Sequence, residues 1–126
     1  MDIGNTVSKV RKEYKEYLRE NHPDWAESTF TTRVSDAFYL YQNTIALSFW
    51  KCFENEESMA AARQDILDYL THDVMSDRAE ERAAAYFNDL KMLKAFIDTK
   101  GGVREYIGFE YDCEITVYKY AKMAYD

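Results

Sequence analysis

The chain is 126 residues long, the size of one domain. Aromatic residues make up 16% of it, which excludes overall disorder, and one Pro with four Gly is too few for the many turns of an all-β fold. The formal charge of −7 weighs against autonomous nucleic-acid binding, because isolated DNA- and RNA-binding domains are usually basic.

A chain of this length can bury roughly two thirds of its unfolded surface, so it needs no disulfide, metal or cofactor to fold. The apolar runs are only a few residues long and predict no transmembrane span. Met1 to Val10 lacks the apolar centre of a signal peptide. Cys52 and Cys113 are far apart and form no CxxC, which predicts reduced thiols in a cytoplasmic protein, with a single structural disulfide between them as the alternative. Residues 1–126 read as a single helical domain.

The first element runs from about Asn5 to Asn21, with Val7, Val10, Tyr14, Tyr17 and Leu18 on one helical face. Asn5 or Thr6 is the expected cap, and Pro23 ends the helix because the residue before proline avoids the α region. A second helix is expected from Ser28 or Thr29 as cap, through Phe30, Val34, Ala37, Phe38 and Tyr41, to an exit at Asn43-Thr44. Trp25 stands where a hydrophobic staple would pack across its entry.

Ile45 to Phe53 is short and strongly apolar, and length does not separate a helix from a buried strand there. Its helical neighbours favour a short helix. After the polar break at Glu54-Asn55-Glu56-Glu57, a helix is expected from Ser58 to His72 with Met59, Ala62, Ile66, Tyr69 and Leu70 on one face. Asp77-Arg78-Ala79-Glu80 has the spacing of a capping box. Ala79, Ala83, Tyr86, Leu90, Leu93 and Ile97 then recur over about five turns of helix. Gly101-Gly102 supplies a left-handed stop. Residues 103–126 carry two periodicities: strand-like alternation from Ile107 to Val117, and a helical pattern through Phe109, Cys113, Val117, Tyr120 and Ala124. A lone strand lacks a partner in a helical domain, which favours a final helix from about Asp112, with a strand or hairpin near 106–118 as the alternative.

The overall expectation is an all-α bundle of five to six helices. Charge is uneven along it: net zero over residues 1–35, −5 over 36–100 and −2 over 101–126.

Three stretches resemble a known family. Glu27-Ser-Thr-Phe-Thr-Thr-Arg33 through Tyr41, Asp65-Ile66-Leu67-Asp68-Tyr69-Leu70, and Arg82-x3-Tyr86-Phe87-x2-Leu90-x2-Leu93-x2-Phe96-Ile97 look like helices of the core-binding domain of tyrosine recombinases and phage integrases. Together they cover about residues 25–100. The resemblance implies a SAM-like helical domain that holds no catalytic residues and clamps one side of the DNA while a separate domain cuts it. The Arg…His-x-x-Arg…Tyr constellation of that catalytic domain is missing, and Gly101 to Asp126 is too short to house it. The insert Ile45–Phe53 and the acidic balance also depart from the family pattern. The resemblance therefore implies a non-catalytic helical module close to DNA or to a DNA-binding protein.

Arg11, Lys15 and Arg19, spaced by four with Lys12 alongside, form a row that could follow a phosphate backbone. Glu13, Glu16 and Glu20 are interleaved, and an ordinary solvated face with ion pairs has the same pattern. Arg33, Arg78 and Arg82, with Lys91 and Lys94, could join the row in space; Arg78 and Arg82 lie at a helix N-terminus, where free amides attract anions. Tyr39 and Tyr41 flank a core face, and Tyr106, Tyr111, Tyr118, Tyr120 and Tyr125 crowd the tail. Tyrosine supplies rigid area and a hydroxyl to partner-binding surfaces and stacks on unpaired bases, or it packs core and rim. An aromatic or strand-like tail that paired between chains would make a homodimer.

The acidic residues Glu54, Glu56, Glu57, Asp65, Asp68, Asp73, Asp77, Glu80 and Glu81 give the alternative function. A dense negative surface mimics nucleic acid and blocks a basic groove, as an inhibitor from a mobile element would; the same surface also simply solubilises. Enzyme patterns are poor. Asp68 and His72 at i, i+4 lack a third metal ligand. Ser48-x-x-Lys51 lacks the companion motifs of penicillin-binding enzymes, and Gly4-Asn-Thr-Val-Ser-Lys9 lacks the second glycine of a phosphate loop. His22 reads as a loop residue.

Overall fold

Helix α1 (Ile3–Asn21) opens the chain and buries Val7, Val10, Tyr14 and Leu18, the face its periodicity predicts. The computed structural model describes residues 3–43, 46–108 and Tyr111. Thr6 lies inside α1 and does not cap it. The exit is as expected: His22 N–H still bonds Leu18 O at 2.8 Å, and Pro23 follows in a turn.

Helix α2 (Glu27–Ala37) starts one residue before Ser28, and its cap is Ala26, which supplies no side-chain bond. Ser28 and Thr29 therefore sit within the first turn. The entry is fixed by rings instead. Trp25 packs 5.8 Å from Phe30, the staple geometry, and His22 stacks on Trp25 at 3.8 Å. The helix does not run on to Asn43. It tightens at Phe38, whose N–H bonds Ser35 O, and the chain re-enters helix as α3 (Tyr39–Asn43). Phe38 is wholly buried, 5.2 Å from Phe49 and 6.3 Å from Trp50, so the turn between α2 and α3 falls at a ring held in the core.

Ala46–Phe53 is a 3₁₀ helix, which settles the choice between helix and strand. Its tight turn brings Phe49, Trp50 and Phe53 inward together, with Phe49 5.1 Å from Trp50 and 5.2 Å from Phe53. Fully buried aromatics of this size cost about 3–5 kcal/mol when cut to alanine. Helix α4 (Glu56–Asp68) begins two residues before the expected Ser58, because Asn55 Oδ1 accepts from Ser58 N–H at 2.8 Å and caps it. Its last turn widens into a π turn (Tyr69–Asp73), closed by Val74 N–H on Tyr69 O.

Helix α5 (Ala79–Thr99) is the longest and packs against α1, α2 and α4. The capping box expected at Asp77 and Glu80 does not form. Arg78 holds the cap position, its N–H bonds Ser76 Oγ, and its guanidinium takes Glu81. Gly101 and Gly102, at φ +97° and +95°, end α5 as expected, and Gly102 N–H reaches back to Ile97 O. Helix α6 (Val103–Ile107) then packs on α5 and the 3₁₀ helix. The described residues form an all-α fold with no strand among them. No described helix is long and apolar enough to cross a membrane. Residues 112–126, with Cys113, the expected final helix and Tyr118, Tyr120 and Tyr125, lie outside the described residues. Cys52 is buried.

Candidate interaction surface

The basic row of α1 faces α2. Arg11 Nη2 lies 3.4 Å from Ser35 Oγ, Lys15 Nζ lies 3.3 Å from Thr31 Oγ1 and 3.0 Å from Glu27, and Arg19 Nη2 lies 2.5 Å from Glu27. Residues 11, 15 and 19 thus meet 35, 31 and 27, two rows of period four in antiparallel register. Arg19 also bonds Glu16. The ammonium of Lys15, followed by the Arg19 guanidinium, holds the Glu27 carboxyl below the ordinary carboxylate range. Lys12 instead lines a shallow groove with Lys9, Glu13, Glu16 and Lys100.

Arg33 turns inward from α2. Its Nη1 lies 3.3 Å from Oδ1 of Asp89 on α5, and its Nη2 lies 3.3 Å from Asp36 Oδ2. Asp89 is 1% exposed, the single charged residue of the core among the described residues. Its Oδ2 and the buried Tyr14 hydroxyl have no hydrogen-bond partner among the described residues. Burial pushes Asp89 up to about 6, against the pull of Arg33 and with a further push from Asp36. Burial, then the Asp89 charge, also raises Tyr14. Position 89 lies on the same helical face as Tyr86 and Leu93, three and four residues away, and the periodicity does not single it out. The acidic residue on that face was the available signal.

Three tyrosines from separate elements meet at the surface. Tyr39 of α3 stacks on Tyr86 of α5 at 3.9 Å and 9°, and Tyr69 of the π turn meets Tyr39 edge-on at 5.9 Å. Arg82 Nη2 donates to the Tyr86 hydroxyl at 3.3 Å, and Tyr69 Oη donates to Asn43 Oδ1 at 3.3 Å. Desolvation raises Tyr39, and the bond to Tyr86 raises Arg82. All three rings remain partly exposed. The turn at Phe38 and the π turn position them. Neither is visible as a motif, which is why the periodicity sets Tyr69 and Tyr86 on separate core faces and Tyr39 beside a third.

The platform continues into acidic surface. Glu57, Asp65 and Asp68 lie along one exposed face of α4, and Asp68 directly precedes Tyr69. Partial burial, then the Asp68 charge, raises Asp65. Arg78, proposed from sequence as a phosphate contact, holds Glu81 at 2.5 Å. Tyr111, proposed from sequence as an exposed partner contact, is wholly buried; its hydroxyl donates to Glu54 at 2.8 Å. Arg104, ahead of the Tyr111 hydroxyl, lowers Glu54. No group of three or more His, Cys, Asp or Glu among the described residues could hold a metal ion. Asp68 accepts from Gln64 at 2.8 Å. The Ser48 side chain lies outside those described. Comparisons with family models, with curated proteins and with solved structures find no match to this chain.

Proposed function

We propose that this chain is a non-catalytic helical interaction module that docks a basic protein surface through the Tyr39–Tyr69–Tyr86 platform and the adjoining acidic face of α4. The observation that carries this reading is the direction of the α1 cations. Arg11, Lys15 and Arg19, the row best spaced to follow a phosphate backbone, bond across to α2, while Glu57, Asp65 and Asp68 take no ion pair among the described residues. Tyrosine and arginine are enriched where interfaces concentrate binding energy, and complementary charge steers encounter. A net charge of −7 suits a cationic target.

The test is calorimetric titration with a synthetic Lys/Arg-rich amphipathic peptide. Saturable binding that is lost in Tyr86→Ser and in Asp65→Asn/Asp68→Asn is the expected result. Binding unchanged by both variants would contradict the assigned surface.

One observation favours a second reading, a module close to DNA. The stacked Tyr39 and Tyr86 with Arg82 at their edge offer a flat aromatic face of the kind that stacks unpaired bases. Titration with a labelled single strand, compared between the natural chain and Tyr86→Ser, tests it.

A further inference from the structure

The link between the π turn and α5 carries a feature that stability alone does not explain. Val74 and Met75 are the exposed large hydrophobic residues of the described chain, at 43% and 80%. Met75 also stands at φ +59°, in the left-handed region. The local hydrogen bonds require that conformation: Val74 N–H closes on Tyr69 O at 3.0 Å and Ser76 N–H on Leu70 O at 2.9 Å, a helix stop of the kind glycine usually makes. Backbone geometry thus asks for glycine, and the chain places a bare thioether side chain there instead. Exposed Asp73 and Asp77 flank the pair.

At the other end of the same helix pair lies a groove of about 490 Å³ between α4 and α5. Met59, Ala60, Phe87 and Ala95 supply its apolar surface. Arg63 Cζ and Lys91 Nζ sit 5.7 and 5.2 Å from the Phe87 ring centroid, and Lys94 and Asp98, paired at 2.8 Å, stand with Glu56 at the rim. Knob and groove are complementary. An apolar knob with an acidic collar matches an aromatic groove with Arg63 and Lys91 over its ring. Methionine sulfur also packs favourably on aromatic rings. The groove is lined by residues 56–63 of α4 and 87–98 of α5, with Arg63 over Phe87, so it lies on the stretch of the helix pair away from the link that carries the knob. A two-fold pairing in which each knob enters the other's groove would be closed and self-complementary.

We propose that the chain associates with a second copy of itself by inserting Val74–Met75 into the α4–α5 groove at Phe87. The inference does not rest on the function proposed above.

Sedimentation equilibrium of the full chain tests it, at protein concentrations up to about 1 mM and at about 50 and 500 mM salt. A dimer that weakens at high salt is expected. Met75→Gly should weaken it at least about tenfold while the melting temperature holds or rises, since glycine suits the backbone better. Asp73→Lys/Asp77→Lys and Arg63→Glu/Lys91→Glu should each be monomeric, and an equimolar mixture of the two should regain the dimer. Circular dichroism of each variant establishes that it is folded, and Met75→Gly decides the matter if a double variant is not. A chain that stays monomeric to about 1 mM overturns the proposal and leaves the knob to a different protein. A dimer indifferent to Met75→Gly, or a mixture that stays monomeric when both double variants are folded, overturns it equally.

Discussion

Arg33 of α2 and Asp89 of α5 approach to 3.3 Å inside the bundle, and the carboxylate they bury is 1% exposed. Because Asp89 Oδ2 has no partner among the described residues and its carboxyl rises from 3.8 to about 6, the ion pair does not fully offset desolvation.

The folded state therefore binds this proton more tightly than the unfolded state. Asp89 contributes stability that is complete below pH 3.8 and is lost as pH rises through about 6. The loss amounts to roughly 3 kcal/mol. Asp89→Asn should flatten this part of the pH profile and gain stability at pH 7.5, up to that same figure. Urea unfolding between pH 4 and pH 8 measures both. A variant that keeps the wild-type slope, or is weaker at pH 7.5, contradicts this account.

The α1–α2 row predicts a salt-sensitive contact. Glu27 receives both Lys15 and Arg19, so Glu27→Lys sets three cations together and should lower the melting temperature. The loss should shrink at high salt, where exposed charges are screened. A loss that is independent of salt would point to packing rather than charge.

The tyrosine platform should stabilise the fold as well as present a surface. Tyr86→Ala removes the 3.9 Å stack on Tyr39 and should cost about 1–2 kcal/mol. Tyr86→Phe keeps the stack and should leave the urea midpoint nearly unchanged. Equal losses in the two variants would mean that the hydroxyl, and not the ring, matters.

The glycine pair after α5 separates backbone from sterics. Gly102→Ala meets open space but keeps φ +95°, and should cost about 1 kcal/mol. In Gly101→Ala the new Cβ also comes within 2.9 Å of Glu105 Cγ, so the loss should be larger. Adding Glu105→Ala removes that contact but leaves the residue 105 Cβ at 3.2 Å, and should recover only part of the extra loss.

Much of the helical order is legible in the sequence because burial of large side chains sets it. Val7, Val10, Tyr14 and Leu18 repeat at helical spacing and are buried, as are Leu90, Leu93 and Ile97. Helix starts are less legible. Asp77 and Glu80 have the letters of a capping box, yet Arg78 takes the cap, and α2 starts at Glu27 after Ala26 as cap, with Trp25 and Phe30 as its fixing contact. Local side-chain bonds compete with packing there, and packing prevails. The surface is least legible. Lys15 on its helix reads as solvated or as a phosphate contact, and only the approach of α2 pairs it with Glu27 and Thr31. Tyr39, Tyr69 and Tyr86 become one platform because a turn at Phe38 and a π turn, neither encoded by a short motif, bring three elements together.

The proposed target of this module is a protein surface rather than the phosphate backbone of duplex DNA. Fluorescence anisotropy of a labelled random duplex, titrated with the chain at about 50 and 200 mM salt, tests that most directly. No saturable rise is expected at either salt, because the α1 cations are held by α2 and the net charge repels phosphate. Saturable binding that weakens steeply between the two salts, and falls further in Arg11→Ala/Lys15→Ala, would contradict it.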